Sequence, residues 1–458
     1  MADEQPVVQE GVHNFTAAER YCWPEEPLLR ERLEWWRDQK LGLMMHWGPY
    51  SQWGVVESWA LSDGDADWSR TEIDWVQDGG EFRRQYFGLG RTFNPVRFRP
   101  EQWADIAANA GFRYLVFTTK HHDGFCMWDT KTTDNRSTGP DCPFRTDRHA
   151  DICREVFDAF RSRGMGIAAY FSKADWNTPT YWAPGFAKSE HPDRNPTYDP
   201  VAEPALWDRF VDFTHQQLME LVAGYGPLDV LWLDAGWVCP AEGQDIRLGE
   251  LMARARAYTP GLLVADRTVG GPYENYVTPE QTVPERPLDI PWESCITLGT
   301  SFSFKYEDTY KTPRQVVQLL IDIVAKGGNL ALNVGPQPDG RLPAGAVACL
   351  KGLGDWLAVN GEAIYATRPR APWRTGDWAF TGRDGAFYAL RLYPEGAHPL
   401  GEERLPLVGL GPATLLGHGP VPAAEREGDT VLTLPAIVTD QPAPPALVFR
   451  FDHQEGRT

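Results

Sequence analysis

Three stretches of the chain hold the side chains best suited to chemistry. The pentapeptide "TKHHD", Thr119 to Asp123, sets two adjacent histidines between a lysine and an aspartate, directly after an apolar run. "LDVLWLDAGW", residues 228 to 237, is an apolar strand pattern that ends in Asp234 beside Trp232 and Trp237. "VTPEQT" and "IPWESC" supply Glu280 and Glu293, and "VVESW" supplies Glu57. A carboxylate at the end of an apolar strand is costly to bury unless it is hydrogen-bonded or functional, so Asp234 is the candidate nucleophile. Double displacement at a sugar needs a second carboxyl group roughly 5 Å from the first, acting as acid and then as base. Glu280, Glu293 and Glu57 all qualify, because the partner must converge in space and not in sequence. Asp229, at the start of the same strand, belongs to the opposite end of the sheet and is read as structural.

The histidines fit as hydroxyl binders, since a neutral imidazole both donates and accepts and so suits the vicinal hydroxyls of a sugar. A metal reading of His121 and His122 predicts a ligand set with recognisable local spacing, such as H-E-x-x-H, and neighbours on a strand point in different directions. Neither a metal nor another cofactor is therefore expected, although a metal-dependent hydrolase built on the two histidines stays as a rival that a chelator can test.

The elements that must position these groups are legible in the hydropathy. Short apolar runs at 41–47, 112–120, 166–172, 228–234, 261–266 and 329–335 alternate with amphipathic stretches at 101–110, 149–163, 204–223, 245–257 and 313–326. Near-continuous apolar strands separated by helices indicate a parallel sheet buried on both faces. Almost every run ends in polar or ionisable residues: His46; Lys120 with His121 and His122; Tyr170 and Ser172; Asp234; Asp266 with Arg267; Asn333. In a parallel barrel the carboxyl ends of the strands form the face where active sites are built. The fold expected is therefore α/β, a (β/α)8-like barrel over 1–362. From about 363 to 458 the texture changes to alternating strands around tight turns, with "RPRAPW" read as a connector, "TVLTLP" and "ALVFRFDH" as strands, and the whole as a C-terminal antiparallel β-sandwich.

Composition narrows the partners. The 458 residues carry a formal net charge of −19, which repels the phosphates of nucleic acid and of anionic membranes and favours a neutral or cationic substrate. Nineteen tryptophans exceed what a core of this size requires and can supply flat platforms for sugar rings. Seven scattered cysteines without a C-x-x-C pair suggest reduced thiols, and the acidic start without an apolar h-region suggests a cytoplasmic protein.

The ordered blocks "LGLMMHWGPYS", "TTKHHDGFCMWDTKTTD", "LDVLWLDAGW", "PWESC", "GGNLALNVGPQPDGRLP" and "LAVNGEAIY" resemble those of the α-L-fucosidases of glycoside hydrolase family 29, from about residue 30 to 366. The resemblance implies a barrel followed by a β-sandwich and a metal-free retaining double displacement on terminal α-L-fucosides of glycans or glycoconjugates. It places the nucleophile on Asp234 and the acid/base on Glu280, with Glu293 as rival. Fucose binding falls by the same resemblance on His46, Trp59, His121, His122, Tyr170, Trp232, Arg267 and Phe302. The chain departs from the usual pattern at "ADRTVGG" and "SFSFKYED", which touches the leaving-group side. A hydrolase for a similar sugar, such as a β-galactoside, and a catalytically silent carbohydrate-binding protein are the alternatives.

Overall fold

Helix and strand alternate as the hydropathy requires. In chain order they are α1 (Pro27–Gln39), β1 (Leu41–Met45), α2 (Gly79–Phe87), α3 (Pro100–Asn109), β2 (Tyr114–Lys120), α4 (Ile152–Arg161), β3 (Gly166–Ser172), α5 (Pro204–Gly224) and β4 (Val230–Asp234). They continue with α6 (Leu248–Tyr258), β5 (Leu263–Asp266), β6 (Glu293–Thr297), α7 (Pro313–Ala325), β7 (Asn329–Asn333) and α8 (Ala344–Asn360). The computed structural model describes residues 15–383, 385–439 and 443–452; the acidic N-terminal stretch, Asp384 of the Gly-Arg-Asp-Gly turn and His453 lie outside them. Helices α1, α3, α5 and α7 each open on proline, whose fixed φ suits the first helical position and whose missing N–H would have had no partner there.

The strands form one parallel sheet in the order β5-β4-β3-β2-β1-β7-β6. Where a regular barrel would place a further strand between β5 and β6, the irregular segment 273–281 runs instead. It hydrogen-bonds to β5 through Asn275 N to Val264 O (2.8 Å) and to β6 through Glu293 N to Val277 O (2.9 Å) and Gln281 N to Cys295 O (2.9 Å). Pro272 directly before this segment and Pro279 within it cannot donate to a ladder, which explains why it closes the sheet without becoming a full strand.

Each strand buries both faces, and the two faces sort by the two-residue period. Met44, Val116, Ala168, Tyr170, Val230, Trp232, Leu263, Ala265 and Ala331 belong to an inner cluster, whereas Leu43, Leu115, Phe117, Ala169, Leu231, Leu233 and Leu332 pack outward with the helices. Helix α1 plugs the amino-terminal end of the barrel. Its Leu29, Leu33 and Trp36 join the inner cluster, and the Trp36 ring stacks 3.9 Å from that of Tyr276.

Beyond α8 the strands are antiparallel: β8 (Arg368–Thr375), β9 (Trp378–Arg383), β10 (Ala386–Leu392), β11 (Glu402–Leu405), β12 (Ala413–Leu415), β13 (Gly419–Val421), β14 (Ala423–Arg426), β15 (Asp429–Thr433) and β16 (Ala446–Asp452). A six-stranded sheet, β13-β12-β16-β10-β9-β8, faces a three-stranded one, β11-β15-β14. Alternation again decides the faces. Trp378, Phe380, Ala389 and Phe449 point into the sandwich with Leu405 and Leu432, while Ala379, Leu390 and Val448 pack into the core shared with the barrel. The "RPRAPW" stretch is no connector: it lies within β8, at the sheet's edge, where Pro369 and Pro372 withhold no hydrogen bond from an inner ladder. Arg314 of α7 fastens the sheet to the barrel by donating to the carbonyls of Tyr393 (2.7 Å), Ala443 (2.7 Å) and Pro444 (2.9 Å).

Candidate active site

The carboxyl ends of the strands surround a cavity of about 300 Å³ lined by His46, Glu57, Trp59, His121, Tyr170, Trp232, Asp234, Arg267, Glu280 and Phe302, together with Arg194 and Trp237. Strand register builds its floor. β3 and β4 pair Tyr170 with Trp232 and Ser172 with Asp234, so the two rings stack 5.1 Å apart. After Asp234 the chain turns at once: Ala235 takes a φ of 69°, and a Cβ on Gly236 would lie 1.9 Å from Thr268 Oγ1. Only glycine allows that approach. It brings β4 and the end of β5 together, which sets Arg267 beside Asp234.

One guanidinium links the two carboxylates. Arg267 donates from Nη1 to Asp234 Oδ1 (2.7 Å) and from Nη2 to Glu280 Oε2 (2.5 Å), while its plane lies 4.4 Å over Trp232. Tyr170 Oη donates to the other oxygen, Asp234 Oδ2 (2.5 Å). Burial alone would raise the Asp234 carboxyl, but the Arg267 cation and the Tyr170 hydroxyl outweigh it and hold the group well below the usual carboxylate range. Asp234 is thus a fixed, ionised carboxylate that faces the cavity.

The histidines are neutral for the converse reason. Burial lowers His46 and His122 to about 4 and carries His121 well below its ordinary value. Each has one nitrogen pinned: His46 Nδ1 by Asn333 Oδ1 (2.8 Å), His121 Nδ1 by Ser58 Oγ (2.5 Å) and His122 Nδ1 by Ser172 Oγ (2.5 Å). Ser172 gives its own proton to Ala174 O (2.6 Å), so His122 carries its proton on Nδ1 and presents Nε2 as an acceptor, 3.8 Å from Asp234 Oδ2. His122 lies behind the cavity wall, with the Trp59, Trp176 and Trp237 rings packed around its imidazole.

The rest of "TKHHD" is scaffold. Lys120 is fully buried, its ammonium bonded to Asp175 Oδ2 and Gln217 Oε1 (both 2.9 Å), which ties β2 to the loop after β3 and to α5. Asp123 accepts from Tyr86 Oη (3.0 Å) and anchors the loops above the barrel. Asp229 accepts from Ile167 N (2.8 Å) and pairs with Arg32 at the opposite end, as its place at the strand start implied.

The three glutamates separate sharply. Glu280 lines the cavity on the irregular segment, opposite Cys295 of β6. Glu57 lines it from the loop after β1; Ser303 N donates to its Oε1 (2.6 Å), and burial pushes its carboxyl up to about 7, with the charge of Glu280 adding to the rise. Glu293 does not reach the cavity. It sits at the start of β6, inside the barrel below Trp232, where both oxygens are engaged by Tyr114 Oη (2.5 Å) and Trp232 Nε1 (2.9 Å). Burial pushes Glu293 up to about 7 as well. Glu293→Gln is expected to keep kcat/KM on an aryl glycoside within about tenfold, because the amide still accepts from Trp232, whereas loss of an acid/base group removes about 10²- to 10⁴-fold. A loss of that larger size, reversed by added azide, would instead make Glu293 the acid/base.

His121, His122 and Asp234 bring their ligand atoms within 4.8 Å of one another, the kind of cluster that can hold a metal ion. The charge around it argues otherwise. Asp234 already shares its two oxygens with the Arg267 cation and Tyr170, and His121 and His122 have one nitrogen each in use. A divalent ion would have to displace or approach that guanidinium. Activity measured after exhaustive dialysis against EDTA is expected to equal that of the untreated protein; a loss restored by Zn²⁺ or Mn²⁺ would assign the cluster to a metal.

A family model described as Alpha-L-fucosidase matches residues 9–362, well over half of the chain. The chain belongs to the alpha-L-fucosidase family. Human tissue alpha-L-fucosidase is 29% identical to it over 412 residues, spanning 84% of this chain and 81% of the human protein. Among solved structures, alpha-L-fucosidase isoenzyme 1 from Paenibacillus thiaminolyticus matches with a TM-score of 0.76 at 27% identity, over 93% of this chain and 100% of that one. The Thermotoga maritima alpha-fucosidase in complex with fucose matches at 0.73 and 28% identity, over 94% and 100%.

As a member of the alpha-L-fucosidase family the chain is a glycoside hydrolase, with a barrel and sandwich like those of its solved relatives. Arg194 and Trp237 line the cavity but were not assigned to it from the sequence. Arg194, in the unpatterned loop 173–203, has its guanidinium 5.2 Å from the Trp59 ring and 5.3 Å from the Trp237 ring, and it pairs with Asp65. Trp237 was visible beside Asp234, but its place in the wall depends on Tyr181 and the Arg194 carbonyl, both acceptors of its indole N–H at 3.1 Å.

Proposed function

We propose that the protein is a retaining exo-α-L-fucosidase that releases terminal α-L-fucosyl groups from glycans or glycoconjugates. The observation that carries this reading is the single Arg267 guanidinium that spans Asp234 and Glu280. It sets an ionised nucleophile and a second carboxyl side by side, which agrees with the spacing of about 5 Å that double displacement uses. A cavity of about 300 Å³, walled by the neutral imidazoles of His46 and His121 and by the Phe302 ring, suits one sugar unit with a single apolar edge. That size favours action at chain ends.

In this mechanism Asp234 attacks the anomeric carbon as the glycosidic bond breaks, forming a covalent fucosyl-enzyme, and Glu280 gives its proton to the departing oxygen. Glu280 then takes a proton from water, which attacks the same carbon and frees Asp234, so two inversions return the original configuration. Glu57 supports a second assignment of the acid, because burial leaves its carboxyl protonated up to about pH 7 in the same cavity.

The test is release of nitrophenol from 4-nitrophenyl α-L-fucoside and from the matching β-D-galactoside, with the first-formed sugar anomer followed by NMR. Fucoside turnover with α-fucose appearing first is expected. Initial β-fucose would rule out retention, and galactoside as the better substrate would replace the fucoside assignment.

A further inference from the structure

A second and larger cavity, about 1130 Å³, opens beside the active site between the loops that follow β1 and β6. The two cavities share a wall. Val55 and Val56 face the large cleft while Glu57 faces the small pocket, and Thr300 and Lys305 face the cleft while Phe302 faces the pocket. Ser303 knits the wall: its Oγ donates to Val55 O (2.6 Å) and its N–H to Glu57 Oε1 (2.6 Å), and Tyr306 Oη donates to Gln52 O (3.0 Å) nearby.

Aromatic side chains stand in and beside both cavities. Trp59 lines the pocket, and its ring lies 6.2 Å from that of Trp68, which is 57% exposed and directly precedes Ser69 in the cleft wall. Within the cleft, Trp75 is 47% and Tyr306 66% exposed. Trp53 meets the Trp75 ring edge-on at 5.6 Å and so holds its orientation. Leaving several large rings in water in one region is unfavourable unless something covers them, and their flat faces match the apolar faces of pyranose rings. The polar groups beside them fit uncharged hydroxyls. Lys305 and Glu72 pair at 2.9 Å and cancel, Lys311, whose ammonium donates to Thr297 O (2.7 Å), offsets the charge of Glu307, and Thr309 and Gln315 offer neutral donors and acceptors. With a chain charge of −19, an anionic occupant is disfavoured.

We infer that this cleft is a second carbohydrate-binding site, which holds a neutral oligosaccharide against Trp75 and Tyr306. The sugar chain has two possible sources. It can be the aglycone of a substrate whose fucose occupies the pocket, a case that rests on the fucosidase reading, or a separate glycan strand, a case that does not.

The experiment compares wild type with a Trp75→Ala, Tyr306→Ala double variant. A fucose-free tetrasaccharide of N-acetyllactosamine is titrated calorimetrically, and kcat/KM is measured on 4-nitrophenyl α-L-fucoside and on a fucosylated N-acetyllactosamine. Both side chains are exposed, so matching thermal unfolding is expected to show that the fold survives. The tetrasaccharide is expected to bind wild type and to bind the variant at least about tenfold more weakly, with aryl fucoside turnover unchanged. A parallel fall in kcat/KM on the fucosylated lactosamine assigns the cleft to the aglycone; no fall there assigns it to a separate glycan. Absence of tetrasaccharide binding by wild type, or equal binding by the variant, overturns the site. Wild type that binds the tetrasaccharide but hydrolyses neither fucoside would leave the cleft standing and remove the fucosidase reading instead.

Discussion

Asp234→Ala is expected to lower turnover of 4-nitrophenyl α-L-fucoside by about 10⁴-fold or more while thermal unfolding stays close to that of wild type. The size follows from the role: without a nucleophile there is no covalent intermediate, and only binding and the remaining polar groups lower the barrier, a loss of about 5 kcal/mol or more in transition-state stabilisation. The fold is spared because the carboxylate sits at the rim, with Arg267 still held by Glu280 (2.5 Å), by Thr278 Oγ1 (3.1 Å) and by the Trp232 face. That same guanidinium, freed of one partner, leaves a cationic niche where the carboxylate was. Added azide is therefore expected to restore turnover and to yield the β-fucosyl azide, since it attacks from the face Asp234 used. Near-normal activity of the variant, or rescue giving the α-azide, would remove Asp234 from the nucleophile position.

Glu280→Ala is the second large loss, and it depends on the leaving group. A poor leaving group needs its oxygen protonated, so kcat/KM on a fucosylated disaccharide is expected to fall by about 10²- to 10⁴-fold, and on a 2,4-dinitrophenyl fucoside far less. Azide should rescue this variant with formation of the α-azide, because it replaces the incoming water. Glu57 controls the pH dependence beside it. Its carboxyl is raised to about 7, first by burial and then by the charge of Glu280, so it holds a proton below about pH 7 and loses it above. On the second assignment, with Glu57 as the acid, wild-type kcat/KM is expected to fall as pH rises through about 7, because the cavity then loses the proton that Glu57 transfers. Glu57→Gln removes that inflection. An unchanged inflection in Glu57→Gln would detach the pH dependence from this residue, and a loss in Glu57→Gln that tracks the leaving group while Glu280→Ala does not would exchange the two roles.

Much of the barrel was legible because its signals are local. Apolar runs bounded by polar strand ends mark β1 to β5 and β7, and the prolines that open α3, α5 and α7 sit where the amphipathic stretches begin. β6 was harder, since "ESCIT" is only a short run and its burial comes from pairing with β7. β8 was missed because prolines read as connectors, and only an edge position, where donors are not needed from both sides, allows them in a strand.

By itself the sequence determined which groups are available at the rim: Asp234, the histidines, Tyr170 and Arg267 all follow apolar runs whose carboxyl ends must meet in a parallel barrel. Spacing could not rank three glutamates, and only the family resemblance put Glu280 ahead, because what separates them is distance and burial across elements remote in the chain. The tertiary structure places Glu280 on the other arm of the Arg267 guanidinium, encloses Glu57 until its carboxyl rises to about 7, and locks Glu293 below Trp232 with both oxygens engaged. Arg194 and the cleft of Trp75 and Tyr306 were equally silent, since long loops carry no periodicity and their side chains gain meaning only from the neighbours that folding brings to them.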